Sequence, residues 1–297
     1  MNWIPVALIA YLANAGAAVT DKFLLRRLIP HPAVYAFFVS LMGGAVIVAA
    51  PFVLEDAPAT VLVASFFSAL AFTGALFFYY TALKHNEASR VVPLVGSMTP
   101  VVVLILASIF LGETLGVIQL VGFALVVIGT AVLAEEGNVH RRLAPKAVAL
   151  GVLAASLFAA SHVAVKYVYL VHPFASGLVW RGLGGVAAAL ILFLIPLNRR
   201  RIVAEIRNPE VETGAVFFLG QGFAVTGFLL LNYAFSLGPV SLVNALSGVQ
   251  YVFLFLAMLI LSRFAPRVVK EPQTKREVAV KGIGIVVIGA GLAALFL

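Results

Sequence analysis

Apolar residues run through this chain in blocks of roughly 20, the length that crosses a bilayer as a helix, and the blocks recur from one end to the other. They predict ten helices, at 3–28, 33–54, 60–83, 89–111, 115–134, 145–170, 174–197, 212–236, 240–264 and 278–297. The breaks between them carry turn chemistry, with Pro and Gly as punctuation. "IPHP" separates the first two segments, "LEDAP" the next pair, and "KHNEAS" the third and fourth. "LGETLG" and "SLGPVS" read as short hairpins, and "EEGNVHRRLAP" divides the chain in half. "NRRRIVAEIRNPEVE" and "RFAPRVVKEPQTKRE" are the longest polar links.

Composition agrees with this pattern. The 297 residues are 63% hydrophobic and 11% charged, against about 45–50% and about 25% in soluble domains. The predicted class is an all-α polytopic membrane protein. Cysteine is absent, which excludes disulfides, thiol catalysis and thiolate metal sites. Ala13-Asn14-Ala15 has the form of a signal-peptide cleavage site, but no Lys or Arg precedes the first block, so it is read as a retained helix.

The net charge of +8 has a topological explanation. If the N-terminus lies outside, 18 of the 20 Lys and Arg residues fall in the five inner loops, and the outer links hold only Glu55, Asp56 and Glu113. Lys and Arg mark the cytoplasmic side. The expected location is a prokaryotic inner (plasma) membrane with both termini extracytoplasmic, in contact with membrane lipids and not with nucleic acid. Only Lys166 and Arg181 stand outside the loop count.

The chain also repeats itself. "HPAVYAFFVSLMGG" (31–44) returns as "HPFASGLVWRGLGG" (172–185), and "GFALVVIGTAVLA" (122–134) as "GIGIVVIGAGLAA" (282–294). Between them Ala82, Ser89, Val91, Leu94, Gly96 and Leu104 recur as Ala234, Ser241, Val243, Leu246, Gly248 and Leu256, and Lys22-Phe23 matches Lys166-Tyr167. The predicted units are residues 1–138 and 139–297, five helices each. An odd number of crossings makes consecutive units face opposite ways, an inverted-topology repeat.

Two stretches carry a family resemblance. "ALKHNEASRVVPLVGSMTPVVVLILASIFLGETL" (82–115) and "YAFSLGPVSLVNALSGVQYVFLFLAMLIL" (233–261) resemble segments of EamA-like members of the drug/metabolite transporter superfamily. The resemblance covers nearly the whole chain. It implies a ten-helix transporter with a central cavity lined chiefly by the first, third, fourth, sixth, eighth and ninth helices, the fifth and tenth being peripheral. The sequence departs from the pattern in reading Leu-Ser-Arg at 261–263 where the first half has Leu-Gly-Glu. The family is also commonly drawn with cytoplasmic termini, the reverse of the charge count.

Polar residues inside the apolar blocks are the site candidates, since a charge at the bilayer centre costs about 2.5–3.5 kcal/mol on insertion scales. Phe158, His162 and Lys166 share a face of the sixth helix, and Asn14, Ala18 and Lys22, with Asp21 beside them, the matching face of the first. His162 makes protons a candidate coupling ion. Arg181, after Trp180, is the deepest cation, and its guanidinium suits a carboxylate or phosphate. Its repeat partner is Ser40. Further candidates are Tyr79 and Tyr80; Ser97, with Pro93 and Pro100 on the same face; Asn232 and Tyr233, with Gln221 and Phe228; and Asn244, Gln250 and Tyr251. Each of these polar groups could equally join helices.

The favoured function is a secondary transporter moving a small metabolite, an amino acid or similar amphipathic solute, by alternating access. No phosphate-binding G-x-x-x-x-G-K-[ST] occurs, and neither cofactor nor metal is expected. A monomer or weak homodimer is expected. The alternative is a lipid-modifying transferase in the membrane. It would need clustered catalytic groups, whereas His31, His85, His140, His162 and His172 are scattered.

Overall fold

The computed structural model describes residues 3–28, 31–85, 88–134, 144–207, 214–264 and 275–295. Among the sequence candidates, His140, Arg141, Arg142, Arg267 and Lys270 lie outside the described residues, as do the side chains of Asp21, Lys22, Arg26, Arg27, His85, Arg90, Pro93, Arg263, Lys275 and Arg276.

All regular structure among the described residues is helical. The helices are α1 (Trp3–Leu28), α2 (Pro32–Gly43), α3 (Ala50–Val53), α4 (Ala59–His85), α5 (Ala88–Phe110), α6 (Val117–Ala134), α7 (Pro145–Val171), α8 (Phe174–Leu194), α9 (Pro196–Arg207), α10 (Gly214–Leu237), α11 (Val240–Ala245), α12 (Ser247–Phe264) and α13 (Lys275–Leu295). Seven described segments are long and apolar enough to cross a membrane, and two shorter apolar helices, Leu94–Phe110 and Val117–Leu133, accompany them.

Three details differ from the sequence expectation. The second segment is not one helix. A 3-10 stretch, Gly44–Ala49, joins α2 to α3. The ninth segment breaks at Leu246 into α11 and α12. The arginine-rich link read as irregular holds α9, which buries Asn198 and Ile202 and leaves Arg199, Arg200 and Arg207 exposed. Its short apolar stripe lies within a strongly basic stretch, so hydropathy alone conceals it.

Successive segments run antiparallel, so their ends gather on two faces. The start of α1, the turns before α4 and α8, the α5–α6 link, the α10–α11 turn and the end of α13 share one face, here the terminal face. The opposite, basic face holds Lys84 and the arginines of α9.

Packing in one half is echoed in the other. α4 lies along α7 as α10 lies along α1, α5 packs on α7 as α12 packs on α1, and α6 pairs with α13 at the periphery. Small residues allow these close crossings. A Cβ at Gly129 would lie 2.9 Å from the Gly284 carbonyl oxygen, and one at Gly122 would lie 2.7 Å from that of Gly291. The α6–α13 contact thus uses Gly284 and Gly291, two residues beyond the Gly282 and Gly289 that match in sequence. α2 and the 3-10 stretch cross α8 at glycines, where Gly44 faces Val186, Gly182 faces Val46 and Gly185 faces the Ser40 carbonyl, while Gly184 faces α4.

The echo fails at one seam. α4 packs closely on both α2 and α8, whereas its counterpart α10 makes only slight contact with α8 and no comparable contact with α2. The space left beside α10 is the cavity.

Candidate functional site

A cavity of about 270 Å³ lies between α2, α4 and α8 on one side and α1 and α10 on the other. Its wall is mainly aliphatic and aromatic, with Asn14, Gln221, Ser40, Thr73, Arg181 and the phenols Tyr35 and Tyr80 as its polar side chains. No Asp or Glu among the described residues lines it. Toward the basic face the lining reaches Tyr35, in the first turn of α2, and Tyr80, near the end of α4. Those two rings meet with centroids 4.0 Å apart. The second and seventh segments therefore contribute to the wall, beyond the helices the family resemblance implied, and no described residue of α5, α7, α11 or α12 lines this cavity.

Arg181 is the one cation among the described residues that line the cavity, and it is 6% exposed. Its guanidinium carbon sits 5.3 Å from the Phe72 ring centre and 4.9 Å from that of Phe228. Both rings attract a cation electrostatically. Nε donates to Ser68 Oγ at 3.2 Å, and Ser68 Oγ donates in turn to the Ser161 carbonyl at 2.9 Å. Arg181 has no ion pair and no second hydrogen bond among the described residues. Beside it Ser40 and Thr73 share a hydrogen bond of 2.7 Å, and Thr73 also donates to the Ala69 carbonyl. Asn14 reaches across to α10, where its amide lies over Gly227.

The terminal side carries a denser polar network. Glu113 accepts from the Val240 N–H at 2.7 Å, the Ser241 N–H at 3.1 Å and the Ser241 hydroxyl at 2.5 Å. A carboxylate there satisfies free N–H groups and the positive end of the helix. Lys166 donates to the Phe235 and Gly238 carbonyls at 2.8 and 2.9 Å, closing the end of α10. Tyr11 donates to the Val243 carbonyl at 2.9 Å, and Tyr169 to Asn232 Oδ1 at 2.9 Å. His162 Nδ1 donates to Asn244 Oδ1 at 2.9 Å, because the Asn244 amide nitrogen is committed to the Val240 carbonyl. The largest apolar cluster, around Tyr11, Val163, Tyr169, Phe235 and Val243, fills the space between.

The candidates read from the sequence thus separate. Asn14, Tyr80 and Arg181 line the cavity. His162, Lys166, Asn232 and Asn244 belong to the terminal network. Trp180 donates to the Glu55 carbonyl at 3.1 Å, outside the cavity, and Tyr233 is exposed against Phe174. Tyr79 packs on Tyr80 and Phe158. Ser97 donates to Leu94 within α5, Tyr251 fills the space over Gly96, and Gln250 sits half-buried on α12. Sequence reasoning missed Tyr35, Phe72 and Thr73 in the wall, since an aromatic ring or hydroxyl inside an apolar block carries no signal of which way it faces.

On the basic face Lys84 Nζ donates to His31 Nδ1 at 3.2 Å. Burial, with Arg201 and Lys84 nearby, lowers the His31 pKa from 6.5.

Residues 1–134 match the family model of the EamA-like transporter family. That family lies within the drug/metabolite transporter superfamily, and the match covers 134 of the 297 residues. No curated protein matches the chain. A crystal structure of another protein superposes with a TM-score of 0.70 at 20% identity, covering 99% of this chain and 96% of that one; at that identity it speaks for the fold alone.

Proposed function

We propose that this protein is a secondary transporter that moves a small amphipathic metabolite by alternating access between two inverted five-helix repeats, residues 1–138 and 139–297. The observation that carries this reading is a cavity between helices of both halves whose lining reaches Tyr35 and Tyr80 toward the basic face, beside a bonded polar network on the terminal side. In this reading that network shuts the terminal face, which a permanent channel would not need. Similar packing in the two halves supports exchange between states of comparable energy. In this reading Asn14, Tyr80 and Arg181 act on the solute. His162, Lys166, Asn232, Asn244 and Glu113 act in closing the terminal face. The basic face is cytoplasmic and both termini are extracytoplasmic.

Liposomes containing the purified protein test this by counterflow of labelled amino acids, organic acids, nucleosides and sugar phosphates. At least one solute should exchange, and Val39→Trp, which fills the cavity, should abolish that exchange without unfolding the protein. Exchange of none, or exchange unchanged by Val39→Trp, would overturn the reading.

A further inference from the structure

From the setting of Arg181 we infer that the cavity takes an organic monoanion, a carboxylate on an aromatic or aliphatic body, and not a zwitterion. This rests on the transport reading and names the substrate class for the same cavity.

The rings of Phe72 and Phe228 flank the guanidinium. A guanidinium stacked on rings makes its hydrogen bonds in its own plane, at its edge. Nε is already committed to Ser68. The N–H groups of the two terminal nitrogens remain, a planar fork that a carboxylate fits with two parallel bonds. The group on α8 is held from both halves of the chain, by Phe72 and Ser68 of α4 and Phe228 of α10, so it is preorganised and loses little freedom on binding.

Charge balance then selects the ligand. Among the described residues Arg181 has no counter-ion and no carboxylate lines the cavity. A monoanion neutralises the buried cation. A zwitterion brings no net charge, and its ammonium would enter an apolar pocket without a carboxylate partner. The Ser40 and Thr73 hydroxyl protons are already given to Thr73 and to the Ala69 carbonyl. A dianion would carry one charge that the single arginine does not match. The remaining wall is apolar and suits the body of the molecule: Tyr35, Val39, Met42, Leu76, Val225 and Leu229.

The test uses the full-length protein in nanodiscs, titrated with 3-phenylpropionate, 3-phenylpropanamide, phenylalanine and phenethylamine and followed by thermal stabilisation and counterflow. The acid should bind saturably. The amide and the amino acid should bind about 10- to 100-fold more weakly, the range for losing hydrogen bonds to a charged group, and the amine should not bind. Arg181→Lys keeps the charge but loses the fork, and should weaken the acid at least tenfold. Should that variant fail to fold, the wild-type ranking of the four probes decides alone. Phenylalanine or the amine binding as tightly as the acid, a folded Arg181→Lys binding the acid as well as wild type, or no saturable binding of the acid would each overturn the inference. If amino acids or other solutes exchange in liposomes while the acid does not bind, the transporter reading stands and the anion class fails. If the acid binds but nothing crosses, the anion site stands and transport fails.

Discussion

The terminal and basic sides of this bundle are built from the same helices and behave differently. On the terminal side nearly every polar group has a partner on another helix. Glu113 caps α11, Lys166 closes the end of α10, and His162 and Asn244 join α7 to α11. Toward the basic side α10 stands away from α2, and the cavity wall is apolar apart from a few polar groups. Unsatisfied backbone groups in a bilayer cost several kcal/mol each, so the capping bonds of the terminal network hold that side together. In the proposed transport reading that side is the shut one, and the weak contact between α2 and α10 leaves the other side free to accept a solute. The lesson is that the terminal side is held by polar capping of helix ends as well as by apolar packing.

Substitutions can break that contrast. The largest effect is expected from Lys166→Met, which leaves the Phe235 and Gly238 carbonyls without their donor. Stability should fall by about 3 kcal/mol, read as a lowered unfolding midpoint in detergent. A variant that melts with wild type would contradict the seal. Glu113→Gln keeps the shape and removes the charge. It should cost about 1–2 kcal/mol and should also speed labelling of a cysteine introduced at Val243, by loosening the terminal face. On the cavity side, Gln221→Leu should change stability by no more than about 0.5 kcal/mol, because Gln221 has no protein hydrogen bond among the described residues, while altering counterflow rates. A stability loss comparable to that of Lys166→Met would erase the distinction between the two sides.

The smallest effect concerns pH. His31 has a lowered pKa in the fold, from burial and from Arg201 and Lys84, so the folded protein favours neutral His31 accepting from Lys84. That contact is intact above the ordinary histidine value and is lost as pH falls through the lowered one. Protonation should loosen the α2–α4 junction at the basic face. Protection from hydrogen exchange in the first turn of α2, taken relative to the intrinsic rate at each pH, should fall as pH drops below the ordinary histidine value in wild type and stay constant in His31→Gln. Equal profiles would remove His31 from the account.

Much of this architecture was legible in the sequence, because bilayer crossing imposes a length and composition on every segment. The ten blocks fall within a few residues of the observed helices. The 3-10 stretch after Gly43 and the break at Leu246 were not, since their causes lie in contacts between helices distant in sequence. α9 escaped because its apolar residues are few. For the site, Arg181 was conspicuous as a cation in an apolar block, whereas its flanking rings, Phe72 and Phe228, looked like any other phenylalanine or a helix-face neighbour. Lys166, His162, Asn232 and Asn244 were recognisable as polar, but whether they face a cavity or join helices is decided by the fold. Glu113 stood out only as an acidic residue in a turn. Its role as a helix cap needed α11 beside it.

The central claim is that the cavity is reached from one face at a time. The chain has no native cysteine, so single cysteines at Val39 in the wall and Val243 in the seal report access directly. Proteoliposomes of defined orientation, treated without solute with a membrane-impermeant maleimide, should show Val39→Cys labelled from the basic face only and Val243→Cys protected from both. An exchanging solute should then open Val39→Cys to the terminal face. Labelling of Val39→Cys from both faces without solute, or from the terminal face alone, would contradict the account.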